Sequence, residues 1–260
     1  MIMSLISTGE VVPNINNLQE PRVLYINGDS HAAGAEAVVP FAFAEDDPWN
    51  YPPPNRKPHP ENEIASFGNV LADRIGMLAY NDSESASSNT RIIRTTRQWL
   101  DNQEVNPNLV LIGWSTWERE EWIHNGQYFQ VNASGTDVVP LELRDKYKHW
   151  VIQQADADRA RQVENEWHQK IYEFHLELSR KNINHLFFNT YQYFFHTVAH
   201  NDTKFDWGLS YISPYDKEKT YYYYLKSCNF DTVNPSSYHY GQYAHQEWAN
   251  YLELFLGNRI

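Results

Sequence analysis

Four short runs along the chain are apolar and bounded by turn residues: VLYIN (23–27), MLAY (77–80), LVLIGW (109–114) and INHLFFN (183–189). Each is too short for a helix, and together they predict buried parallel strands. Between them the apolar positions recur at helical spacing. Ile64, Phe67, Leu71 and Ile75 mark one face, and Val163, Trp167, Ile171, Phe174 and Leu178 mark another. The segment SNTRIIRTTRQWLD opens on a capping serine, Ser88, and predicts a helix. A last helix carries Ala244, Trp248, Tyr251, Leu252 and Phe255 on one stripe. Strands alternating with helices predict an α/β fold with helices on both faces of a mainly parallel sheet. A fifth strand is not evident.

Sheets of this kind hold their ligands beyond the carboxyl ends of the strands. Two serines, Ser30 in NGDSHAAG and Ser115 in GWSTWERE, fall just past such ends. A serine at a strand end reads either as a nucleophile or as part of an ordinary strand-to-helix turn. A nucleophilic serine needs a base within reach. The candidate is His239 in SSYHYGQYAHQEW, just before the last helix; His245, inside that helix, reads as structural.

Two stretches break the alternation. Residues 38–60 hold seven of the 13 prolines and so are neither helix nor central strand, although Phe41, Phe43, Trp49 and Tyr51 predict an ordered, packed excursion. Residues 115–142 read as a loop or hairpin excursion. No linker or repeat divides the 260 residues, so 1–260 is expected to form one domain.

Charge narrows the partners. A formal net charge of -12 argues against nucleic acid and acidic membranes, and Arg91, Arg94 and Arg97 read as a solvated helix face. A single cysteine, Cys228, excludes a disulfide framework. No apolar run approaches the ~18 residues of a membrane span. The start of the chain has no lysine or arginine before Arg22 and does not read as a secretory signal, which leaves a cytoplasmic location as the default. His196 and His200 stand four apart but lack a third ligand, so no metal is expected; no phosphate loop is present either, and no cofactor is expected. Nothing in the sequence fixes an oligomeric state.

Gly28-Asp29-Ser30 after the first strand, with His239, Ala244, His245 and Ala249 at matching intervals near the other end, resembles the SGNH (GDSL) hydrolase superfamily. The resemblance runs from 22 to 256. PYDKEKTYYYYL and GWSTWERE are in addition similar to segments of SGNH-like proteins of marine tailed phages. The resemblance implies a three-layer α/β/α sandwich with a flavodoxin-like sheet. It also implies a serine esterase acting by acyl transfer on a small-molecule or glycan ester, such as an O-acetylated carbohydrate. Ser30 would attack and His239 would take its proton. The oxyanion hole would use the Ser30 N–H with two further donors.

The sequence departs from the family at those two donors and at the acid. Ala86 or Ser87 stands where a glycine belongs, and Ser115 where an asparagine belongs, so a main-chain N–H of Ala86 or Ser87 and the Ser115 hydroxyl become the expected donors. Ser236 replaces the aspartate three residues before the histidine, which leaves Asp231 as the candidate acid, or a Ser30–His239 dyad. Arg119 and Trp114 are the candidate substrate contacts, Arg119 either salt-bridged in its loop or clamping an anionic group. An α/β-hydrolase elbow fits G-x-S-x-G loosely but fails on position, because Ser30 follows the first strand. The competing function is a catalytically degenerate SGNH-fold glycan-binding or structural module.

Overall fold

The computed structural model describes residues 21–47, 57–104, 106–133, 139–200 and 204–257; Trp49 and Tyr51 lie outside them. Four strands build the central sheet: β1 (Val23–Asn27), β2 (Leu78–Asn81), β3 (Leu109–Trp114) and β6 (His185–Asn189). They run in the order β2-β1-β3-β6, and every pairing is parallel. That is the flavodoxin-like order, with the first strand inside the sheet.

Successive strand residues point to opposite faces. β2, expected from its apolar run to be buried, is an edge strand with Leu78 and Tyr80 exposed, whereas at β1, β3 and β6 both faces are covered. On one, Leu24, Ile26, Leu109, Leu111, Leu186 and Phe188 pack against α2 (Phe67–Arg74), α7 (Tyr221–Ser227) and α8 (Gln242–Leu256). On the other, Tyr25, Val110, Ile112, Trp114 and Phe187 meet α3 (Asn89–Asp101) and α5 (Ala157–Arg180). Fully buried side chains such as Trp248 and Phe174 contribute on the order of 2–3 kcal/mol each to this packing. The fold is thus mixed α/β, with a parallel sheet between helices.

The helical stripe from Ile64 to Ile75 is broken. Ser66 takes an extended conformation, ends α1 (Pro60–Ala65) and caps α2 by accepting from the Asn69 N–H, which leaves Ile64 72% exposed. The proline-rich excursion is pinned at its start by Asn62. That buried amide accepts from the Val38 and Val39 N–H groups and donates to the Val39 and Phe41 carbonyls.

The excursion after β3 is a hairpin, β4 (Glu120–His124) and β5 (Gln127–Val131), followed by α4 (Arg144–Gln154). Trp122, Val131, Val139, Tyr147 and Trp150 give it a small core of its own. Arg94 fastens it to α3 with a two-pronged bond to Glu121, at 2.9 and 2.7 Å. The basic face of α3 is therefore ion-paired rather than simply solvated, since Arg91 meets Glu84 and Arg97 meets Glu177 as well. Among the described residues no helix is long and apolar enough to cross a membrane, and no three His, Cys, Asp or Glu side chains converge as a metal site would require. α6 (Phe195–Ala199) carries His196, whose ring stacks on His200 at 5.9 Å between centroids.

Candidate active site

The end of β1 is held by Asn27. Its amide nitrogen, with two hydrogens to share, lies within hydrogen-bond distance of the Tyr25 hydroxyl, the Ile92 carbonyl and the hydroxyls of Thr95 and Thr96, and its oxygen accepts from the Gly28 N–H. The next residue must be glycine: a Cβ on Gly28 would lie 2.6 Å from the Ala32 Cβ and 3.0 Å from the Gly113 carbonyl oxygen. The chain then coils tightly, with the Ala33 N–H donating to Asp29 and the Ala35 N–H to Ser30, both at 2.9 Å. Ser30 sits in this turn, 6% exposed.

Asp29 is the anchor of the site. Its carboxylate accepts from the His31 N–H (3.0 Å), His31 Nδ1 (2.9 Å), the Ser115 hydroxyl (2.9 Å) and Arg119 Nη1 (3.3 Å), while the Thr190 hydroxyl, 3.4 Å away, gives its hydrogen to the Trp114 carbonyl at 2.8 Å. Burial alone would raise its pKa. The His31 ring, the Arg119 guanidinium and the bonds from His31 outweigh that and hold it well below the usual carboxylate range. Because a carboxylate only accepts, His31 carries its proton on Nδ1; its Nε2 is buried without a partner.

His239 comes from the loop before α8. Its Nδ1 lies 2.5 Å from Glu36 Oε2, and Glu36 also accepts from the Ser237 hydroxyl and the Asn234 amide. These bonds, led by that from His239, lower the pKa of Glu36 despite its partial burial. The pairing leaves Nε2 of His239 as its basic nitrogen. The His239 and His31 rings stand 5.5 Å apart, so His239 lies over the turn that carries Ser30. Among the described residues no hydrogen bond joins the Ser30 hydroxyl to His239.

Asp231 is therefore not the partner of His239. It is exposed, while Glu36 occupies Nδ1. Ser236 is exposed too, its N–H taken up in a turn by the Asn234 side chain. Glu36 has φ 62°, a backbone conformation uncommon outside glycine, and it brings its carboxylate to His239 from the loop that carries Ser30.

Ala86 adopts φ 65°, a left-handed conformation natural to glycine, the residue the SGNH resemblance leads one to expect at this place. Its N–H and that of Ser30 have no acceptor among the described residues. The Ser87 N–H does, since it donates to the Glu84 carbonyl at 3.1 Å, which removes it as an oxyanion donor. Ser115 is removed likewise. It is 1% exposed, its hydroxyl donates to Asp29 and accepts from Arg119, and its N–H donates to Asn89 Oδ1 at 2.8 Å.

Trp114 is no substrate contact: it is 1% exposed and packed edge-on to Phe174 and Phe187 in the core. Arg119 does reach the site. Its Nη1 touches Asp29, Ser115 and the Ser87 carbonyl, one residue from each of the loops that follow β1, β3 and β2. His245 is buried, accepts from the Phe67 N–H at Nδ1 and faces the Tyr221 hydroxyl at Nε2; burial lowers its pKa to about 3.

No protein-family model and no curated protein sequence matches the chain. Among solved structures it is similar to a carbohydrate esterase family 2 enzyme with a carbohydrate-binding domain from Corynascus thermopiles (Myceliophthora fergusii). That match has 12% identity and a TM-score of 0.43, over 91% of this chain and 67% of the other. A G-D-S-L-family lipolytic protein from Desulfitobacterium hafniense DCB-2 matches at 12% identity and a TM-score of 0.36, over 90% of this chain and 99% of the other.

Proposed function

We propose that the protein is a serine ester hydrolase of the SGNH type, acting on an acyl ester such as an O-acetyl group on a carbohydrate. The observation that carries this reading is the Glu36–His239 pair, a carboxylate-oriented imidazole lying over the turn that bears Ser30. Ser30 Oγ attacks the ester carbonyl, and its proton passes to His239 Nε2. Glu36 fixes the tautomer and stabilises the imidazolium. The oxyanion is held by the two unoccupied main-chain donors, the N–H groups of Ser30 and Ala86. As the carbonyl re-forms, the ester C–O bond breaks and His239 returns the proton to the leaving alcohol. Water, giving a proton to the same nitrogen, then bonds to the acyl carbon; the bond from that carbon to Ser30 Oγ breaks, His239 returns the proton to Oγ, and the carboxylic acid leaves.

Covalent labelling tests this reading. A fluorophosphonate should add to Ser30, give the corresponding increase in intact mass, and fail to add to Ser30→Ala. No adduct on the folded wild-type chain would overturn the enzyme and favour a degenerate binding module. That second reading draws support from the unmade bond between the Ser30 hydroxyl and His239.

A further inference from the structure

Beyond the carboxyl ends of β3 and β6 lies a cleft of about 380 Å³, lined among others by Trp117, Glu118, Gln154, Tyr191, Gln192 and Tyr223. Its volume is within the ~300–1,000 Å³ of small-ligand sites. Flat aromatic rings alternate here with planar amide and carboxylate groups. Gln192 is locked in place, accepting from the Trp117 N–H at 2.7 Å and donating to Glu118 at 3.2 Å. The Trp117 indole N–H is buried and unpartnered. Among the described residues no lysine or arginine lines the cleft itself, though Lys217 Nζ lies over the Tyr223 ring at 4.1 Å and leaves the ring's other face for a ligand; the carboxylates of Glu118 and Glu164 line it.

Through Tyr191 the cleft adjoins the loop that carries His239. Tyr191 follows Thr190, whose hydroxyl touches Asp29, and its ring meets those of Tyr223 (5.6 Å) and Tyr238 (5.5 Å), the residue before His239. A lipid chain would meet none of the remaining capacity of these groups, the second amide hydrogens of Gln192 and Gln154 and the further lone pairs of Glu118. A neutral sugar supplies both hydroxyls for those groups and apolar ring faces for the tyrosines.

We propose that this cleft is a glycan subsite that seats a neutral oligosaccharide while its esterified unit reaches Ser30 past Tyr191 and Tyr238. The role of the bound sugar as substrate rests on the ester-hydrolase reading; its binding does not.

The test uses the full chain and its Ser30→Ala variant, titrated with xylohexaose, mannohexaose and N-acetylchitohexaose by calorimetry and saturation-transfer NMR. At least one should bind both proteins equally. Tyr223→Ala, and separately Gln154→Ala on α4, should each raise its Kd about tenfold or more while near-ultraviolet circular dichroism stays native. Binding by none of the three, or tighter binding of a polygalacturonate oligomer, would overturn the proposal. So would a KM for p-nitrophenyl esters that falls steeply from acetate to octanoate and loses that trend in Tyr223→Ala, since the cleft would then hold the acyl chain. If a neutral sugar binds but the fluorophosphonate never labels Ser30, the hydrolase reading fails and the subsite stands.

Discussion

Replacing Glu36 by glutamine removes one charge and leaves the side chain nearly the same size. In the wild-type chain the carboxylate meets His239 Nδ1 at 2.5 Å, and each side chain keeps about a fifth of its surface exposed. Unit charges centred about 4 Å apart attract by about 4 kcal/mol at an effective dielectric constant near 20. Partial exposure screens this to about 2–3 kcal/mol of transition-state stabilisation, or roughly 30- to 200-fold in kcat. The glutamine amide adds to the loss when its N–H₂ faces Nδ1, because it favours the opposite tautomer and turns the basic nitrogen away from the serine. The assay is p-nitrophenyl acetate turnover by wild type, Glu36→Gln, Glu36→Asp and Asp231→Asn, with folding checked by thermal melts. Glu36→Gln should fall by at least 30-fold, Glu36→Asp should recover part of the loss, and Asp231→Asn should stay within about twofold of wild type. A folded Glu36→Gln with unchanged kcat, beside a disabled Asp231→Asn, would refute the assignment.

Ser115→Ala should lower stability by about 1–3 kcal/mol in urea unfolding, because it strips a buried donor from Asp29 and an acceptor from Arg119; full stability with a lost turnover would restore it as an oxyanion donor. Ala86→Gly should raise the melting temperature by a few degrees, since it relieves a left-handed alanine costing about 1–2 kcal/mol, and should leave the Ala86 main-chain donor in place. His245 is held neutral by burial with its pKa near 3, while the unfolded chain takes up a proton below about 6.5, so its contribution to stability is present above 6.5 and drains away as pH falls toward 3. Melting temperature should therefore decline with acidity through that window, less steeply in His245→Gln; identical slopes would remove His245 from the account.

The sheet was legible because strands buried on both faces read as unbroken apolar runs, and β1, β3 and β6 are of that kind. The tyrosine run at 221–224 gave no helical signal, as tyrosine is a middling helix former. It coils because Thr220 caps it, accepting from the Tyr223 N–H, and because Tyr221 and Leu225 fit the core. Ser30 and His239 could be picked out from turn residues and position. Glu36 could not, because its pairing spans 203 residues and nothing in GAEAV marks a residue that will take a left-handed backbone. The reading of Ser115 failed for a related reason. Only the structure reveals that Asp29, drawn inside with its charge, claims the Ser115 hydroxyl.

With Glu36 on the serine's own loop, the proposed nucleophile and acid lie six positions apart on one tight coil, and under that proposal a single imidazole is all that must arrive from elsewhere. Their relative placement is then a matter of local backbone geometry, indifferent to how the chain near residue 239 is threaded. That segment is released from carrying an acid, and Ser236 can serve an ordinary surface turn. A search that demands an aspartate three places before the histidine would discard this chain and any sharing its arrangement. The diagnostic pair to look for in other sequences is instead an acidic residue a turn and a half beyond the GDS serine with a polar residue at the vacated place.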